Sequence, residues 1–123
     1  MIIVEGIDHL NLAVTDLQKS VAFYSEIFDF EIEDDAHRGY VVMTLDPIKI
    51  KLVKVDKVEN PLSALNIPQF SFVMDVDDFT EAITEFEAKG IEIVKGPETT
   101  ENGGETLLFK DPDNNLIEIF YTN

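Results

Sequence analysis

The chain has 123 residues, 45% of them apolar, with 25 acidic and 9 basic side chains and a formal charge of −16. That length suits one domain able to fold without metal or disulfide, and the apolar content excludes a disordered acidic tail. The charge argues against a nucleic-acid-binding face and against adsorption to anionic membranes, while the lack of cysteine excludes disulfides and thiolate chemistry.

Ile7 to Val14 alternates as a half-buried strand, with Leu10, Leu12 and Val14 on one face and His9, Asn11 and Ala13 on the other. Thr15 and Gln18 have capping-box spacing, and Leu17, Val21, Tyr24 and Phe28 then make one helical stripe. Strands are expected at Phe30–Glu33, Tyr40–Leu45 and Ile48–Val55, separated by Asp34-Asp35 and Asp46-Pro47 turns. Residues 60–68, with two prolines, read as a linker. The order then begins again. Phe70–Val76 is a strand, and Asp78 with Glu81 caps a helix striped by Phe79, Ile83 and Phe86 and stopped by Gly90. Ile91–Val94, Glu105–Lys110 and Leu116–Tyr121 are three more strands, the last two joined by the turn Asp111-Pro112-Asp113-Asn114-Asn115.

The chain is therefore expected to be α+β, a βαβββ module repeated, with module one at 1–59, a linker at 60–68 and module two at 69–123. The two modules would form a curved mixed sheet around a cup, with helices on the outer face. An offset of 62 aligns Val14-Thr15-Asp16-Leu17 with Val76-Asp77-Asp78-Phe79, and it puts Ser71 in the role of His9. Matching Ile50-Lys51-Leu52 with Ile117-Glu118-Ile119 makes Glu118 the counterpart of Lys51. Strand alternation sends His9, Asn11, Lys49, Lys51 and Val53 into the cup from the first module, and Ser71, Val73, Leu116, Glu118 and Phe120 from the second.

Charge is uneven along the chain. Residues 1–35 carry nine acids and one base, residues 36–66 three acids and five bases, and residues 67–123 thirteen acids and three bases. An acidic shell around a locally basic pocket suits an anionic or neutral ligand, with Lys49 and Lys51 facing it and Arg38 at a hairpin entrance. The competing reading makes those lysines guards of a sheet edge against aggregation. Glu118 inside a cup needs a partner, and Lys51 is the expected one.

The run Asp8-His9-Leu10-Asn11-Leu12-Ala13-Val14-Thr15-Asp16-Leu17, followed by Phe23-Tyr24 and Asp29-Phe30, resembles the opening module of the vicinal oxygen chelate superfamily. Asp111-Pro112-Asp113-Asn114-Asn115-Leu116-Ile117-Glu118 is similar to its closing signature. That superfamily includes glyoxalase I, extradiol dioxygenases and the fosfomycin- and bleomycin-resistance proteins. The resemblance implies paired modules around a cup, a homodimer, and a divalent metal held by His and Glu, positions that His9 and Glu118 match. Ser71 stands where metal-binding members commonly carry a second His, and Lys51 where glyoxalase I carries a Glu. A neutral hydroxyl is a poor ligand and an ammonium repels a dication.

The expectation that follows is a small-molecule binding protein with a degenerate metal site and no cofactor, its ligand held by Asn11, Lys49, Lys51, Val53, Ser71, Phe120 and Arg38. The alternative is a lyase, isomerase or dioxygenase of the glyoxalase type, using His9 and Glu118 as catalytic groups and as ligands of Zn, Ni, Mn or Fe. In both cases the partner is a small molecule, with no nucleic acid and no membrane. The start, Met1-Ile-Ile-Val-Glu-Gly, lacks a basic region and a cleavage site, so a cytoplasmic location is expected.

Overall fold

A computed structural model describes every residue from Met1 to Asn123. The chain divides into two compact units, Met1–Val58 and Glu59–Asn123.

The first unit runs β1 (Leu10–Val14), α1 (Leu17–Phe28), β2 (Glu31–Asp34), β3 (Tyr40–Leu45) and β4 (Ile48–Lys54). Its four strands form one mixed sheet in the order β1-β4-β3-β2, with β1 parallel to β4 and the other pairs antiparallel. A parallel neighbour needs a long crossover, and the α1 hairpin region supplies it. Helix α1 starts at Asp16, whose carboxylate accepts from the Lys19 amide at 3.2 Å. The cap is therefore Asp16 and not Thr15, and aspartate at that position typically stabilises a helix by about 1 kcal/mol. The helix ends at Asp29, which takes the left-handed conformation (φ 63°) and donates its N–H to the Ser25 carbonyl. Tyr24 is fully buried and meets Phe28 and Phe30, while Leu12, Val14, Val41, Met43, Ile50 and Leu52 form the buried side of the sheet. Each such side chain contributes roughly 1.5–3 kcal/mol on burial.

The second unit repeats the plan. After a short helix α2 (Pro61–Ala64) come β5 (Phe70–Val73), α3 (Val76–Lys89), β6 (Ile93–Thr99), β7 (Glu105–Lys110) and β8 (Leu116–Tyr121). Strand order is β5-β8-β7-β6, again with only the first pair parallel. The segment expected to be a linker holds a helical turn that starts at its proline, where a missing N–H costs nothing. Helix α3 is capped by Asp75, which accepts from the Asp78 amide at 2.9 Å; the sequence had pointed to Asp78 itself. Gly90 closes the helix at φ 68°. Phe79, Phe86, Leu107, Phe109, Ile117 and Ile119 make the core.

Two glycines in this unit are steric requirements. A Cβ on Gly104 would collide with the Tyr121 carbonyl oxygen, and one on Gly96 (φ +102°) would lie 2.6 Å from the Thr106 carbonyl oxygen. No helix is long and apolar enough to cross a membrane.

Candidate functional site

Residues in direct register across a sheet share a face, so the strand registers define which side chains stand opposite the helices. In the first unit, Leu10↔Ile50 and Leu12↔Leu52 face α1, and Asn11↔Lys51 and Ala13↔Val53 lie on the open face. The antiparallel pairs Tyr40↔Val53, Val42↔Lys51 and Thr44↔Lys49 extend that face. In the second unit, Ser71↔Glu118, Val73↔Phe120, Thr106↔Phe120 and Leu108↔Glu118 make the matching face, while Ile117 and Ile119 point to the core. Leu116 shares the face of Glu118 by alternation and is buried at the start of β8.

The registers also correct the internal alignment. Leu10↔Ile50 and Phe70↔Ile117 are equivalent pairs, each built on a buried isoleucine of the last strand of its unit. Asn11 therefore corresponds to Ser71 and Lys51 to Glu118, and the counterpart of His9 is Gln69, which the sequence reading missed. Helix α3 has 14 residues against 12 in α1, and that difference pulled the sequence match two residues out of step in the strands. The signal that could have found Gln69 was the parallel pairing, not residue identity.

His9 lies one residue before β1 with its side chain 34% exposed, and its Nδ1 is 2.9 Å from Asp8 Oδ2. The hydrogen bond from His9 and the positive Lys49 hold the Asp8 carboxyl below its ordinary value. His9, Asp8 and Lys49 border a hollow of about 190 Å³ whose other walls are Ile7, Leu10, Pro47 and Ile48. A carboxylate accepting the Nδ1 proton fixes the tautomer and leaves the Nε2 lone pair outward, the arrangement that orients histidines toward metals.

Glu118 finds its partners within its own unit. Ser71 Oγ donates to Oε1 at 2.7 Å and Thr106 Oγ1 donates to Oε2 at 2.8 Å. Two hydroxyls, one from each neighbouring strand, thus hold the carboxylate in a fixed plane. Each oxygen has a further lone pair for another donor or a cation. Thr106 was not foreseen; it sits diagonally across from Glu118 on β7, and only the β7–β8 register reveals it.

Lys49 Nζ pairs with Glu33 at 3.2 Å, and Lys51 Nζ rests 4.1 Å from the centre of the Tyr40 ring. Within its own unit Lys51 thus takes an aromatic face. Val53 and Phe120 are half-buried on their open faces, and Arg38 is exposed in the loop before β3. No cluster of three or more His, Asp or Glu side chains stands together as a ready-made metal site. The first unit offers an oriented imidazole at His9, and the second an oriented carboxylate at Glu118 with the Gln69 side chain two residues from Ser71 on β5's approach. Imidazole nitrogen and carboxylate oxygen are each donor types that suit a divalent cation.

Residues 6–119 match the profile of the Glyoxalase/Bleomycin resistance protein/Dioxygenase superfamily. The chain is 31% identical to virulence protein STM3117 of Salmonella typhimurium, over 95% of this chain and 84% of that protein. It is 26% identical to the glutathione transferase FosA of Serratia marcescens, over 94% of this chain and 79% of that one. Among solved structures, the fosfomycin resistance protein FosX of Listeria monocytogenes superimposes with a TM-score of 0.84 at 21% identity, covering 98% of this chain and 96% of that one. A mutant of that FosX was solved with Mn(II) and 1S,2S-dihydroxypropylphosphonic acid. This overturns the expectation that no cofactor is called for. That expectation rested on Ser71 and Lys51 not being metal ligands, and Ser71 is not at the position equivalent to His9.

Proposed function

The chain belongs to the glyoxalase/bleomycin resistance protein/dioxygenase superfamily, and on that premise we propose that it is a divalent-metal-dependent protein that acts on a small, oxygen-rich molecule. His9, through Nε2, and Glu118 are the protein ligands of the metal, with Gln69 as the third candidate donor. A bound dication would polarise substrate oxygens and stabilise negative charge developing on them. Asp8 keeps the proton on His9 Nδ1. Ser71 and Thr106 keep the Glu118 carboxylate in one orientation, which also suits it to take a proton from substrate. Asn11, Lys49, Lys51, Val53, Ser71, Phe120 and Arg38 are the residues proposed to hold the small molecule, and a homodimer is the proposed assembly.

The observation that carries this reading is the pre-orientation of both donors: a 2.9 Å carboxylate contact behind His9 and two hydroxyl hydrogen bonds on Glu118. Supporting groups of this kind typically account for 10- to 100-fold in metal affinity. The test is metal binding by chelator-stripped protein titrated with Mn(II) and followed by electron paramagnetic resonance. About one Mn(II) per chain is expected, lost in His9→Ala and in Glu118→Gln, with circular dichroism showing both variants folded. Undiminished binding in both variants, or no binding by the parent protein, would overturn the assignment.

A further inference from the structure

We propose that the open face of the first unit carries an oxyanion-binding site centred on the Lys51 ammonium, positioned by a stack that runs from Tyr40 through His37 to Asp34. The site rests on the small-molecule reading above, which gives Lys51 and Asn11 to the ligand, but not on the metal, since every residue in it belongs to the first unit.

In a chain of 25 acids and 9 bases, a half-buried lysine should find a carboxylate. Lys49, two residues away on the same face, does so with Glu33. Lys51 does not: its ammonium lies over Tyr40, and its register neighbours on either side are Asn11 and Val42. A π face takes only the N–H that points at it, so the donors turned away from the ring stay available beside an amide and an apolar wall. An interior strand also removes the competing explanation, because β4 lies between β1 and β3 and Lys51 guards no sheet edge.

The second observation is that the ring beneath Lys51 is itself fixed. His37 stacks on Tyr40 with centroids 4.2 Å apart and planes 16° from parallel. The imidazole and the ammonium thus both pack within about 4 Å of the centre of one ring. His37 Nε2 is in turn 3.0 Å from Asp34 Oδ2, and Asp34 Oδ1 accepts the Ala36 amide at 3.1 Å. The loop after β2 therefore clamps the imidazole, the imidazole backs the phenol, and the phenol holds the ammonium out over the sheet. A lysine stem loses rotamer freedom when its head is held this way, so an arriving anion meets a donor already in place. The ligand class is a small oxyanion, phosphate-like or carboxylate, with the Asn11 amide as a second donor.

The probes are inorganic phosphate and acetate, each titrated into the full chain with chelator present, so that metal binding and its failure play no part. Binding is read from NMR shifts of the Lys51 ε-methylene and the Asn11 side-chain amide. Lys51→Gln should weaken phosphate binding roughly ten- to hundred-fold, the usual range for losing a charge-assisted hydrogen bond. Lys54→Gln, an exposed lysine at the end of the same strand, should leave it unchanged. Tyr40→Leu should release the Lys51 ε-protons from the ring current and weaken binding about two- to five-fold, whereas Tyr40→Phe keeps both. Acetate binding that follows the same pattern assigns the site to oxyanions in general, and phosphate alone narrows it to tetrahedral ones. Equal effects of Lys51→Gln and Lys54→Gln, or no effect of Lys51→Gln, would overturn the site. Parent affinity in Tyr40→Leu would overturn the positioning role.

Discussion

Replacing Asp111 with alanine removes one carboxylate that serves three donors. Its Oδ1 accepts the Asp113 and Asn115 amides, both at 2.9 Å, and its Oδ2 accepts the Asn115 side-chain amide at 3.0 Å. Asp111 is 5% exposed and Asn115 fully buried, so water cannot take over the two Asn115 donors. An orphaned buried donor costs about 1–3 kcal/mol, and the three are coupled, so we expect a loss of about 3–5 kcal/mol for Asp111→Ala. Asp111→Asn keeps an oxygen for the two backbone amides but turns an NH₂ toward the Asn115 NH₂, and about 1–2 kcal/mol is expected. Urea unfolding followed by far-ultraviolet circular dichroism measures both, since the chain has no tryptophan to report. The turn also fixes the β7–β8 register that brings Thr106 to Glu118. A cost below about 1 kcal/mol for alanine, or equal costs for the two variants, would refute this account of the turn.

Two further outcomes are expected. Ser20 is fully buried in α1 with a hydroxyl that has no hydrogen-bond partner, so Ser20→Ala should stabilise the protein by about 1 kcal/mol, seen as a rise in melting temperature. Asp8 should titrate below its ordinary value of 3.8 in an NMR titration, and return toward it in His9→Ala. Because the folded value is the lower one, the stability tied to this carboxylate is present above the unfolded value and is lost as pH falls through the folded one. An unshifted Asp8 in the parent protein would remove the case for an oriented His9.

Much of the fold was legible because it repeats. Strands β3, β7 and β8 fall where alternation puts them, and Gly90 ends α3 as its backbone freedom suggests. Asp29 does the same work for α1 without being glycine, which only the φ of 63° discloses. Cap positions were less legible, since acids at 75, 77 and 78 compete for one role and only the backbone geometry selects Asp75. His9 and Glu118 were singled out by the family resemblance, and the shared faces followed from period two. What holds those side chains did not: Thr106 and Tyr40 act across neighbouring strands of a hairpin, and Asp8 and His37 through side-chain contacts one and three residues away, none of which residue identity discloses. Within its own unit Glu118 takes the hydroxyls of Ser71 and Thr106, and Lys51 takes the ring of Tyr40, partners to which charge does not point.

Lys51 and Glu118 occupy one and the same station in two copies of a single motif, yet they carry opposite signs. A duplicated station can drift in one copy while the other retains its group, so polarity at that point is a setting each half chooses separately. Exchanging the two residues leaves the total of −16 untouched and reverses only the pattern. That isoelectric permutation separates what the chain owes to its overall acidity from what it owes to the placement of one charge in each half.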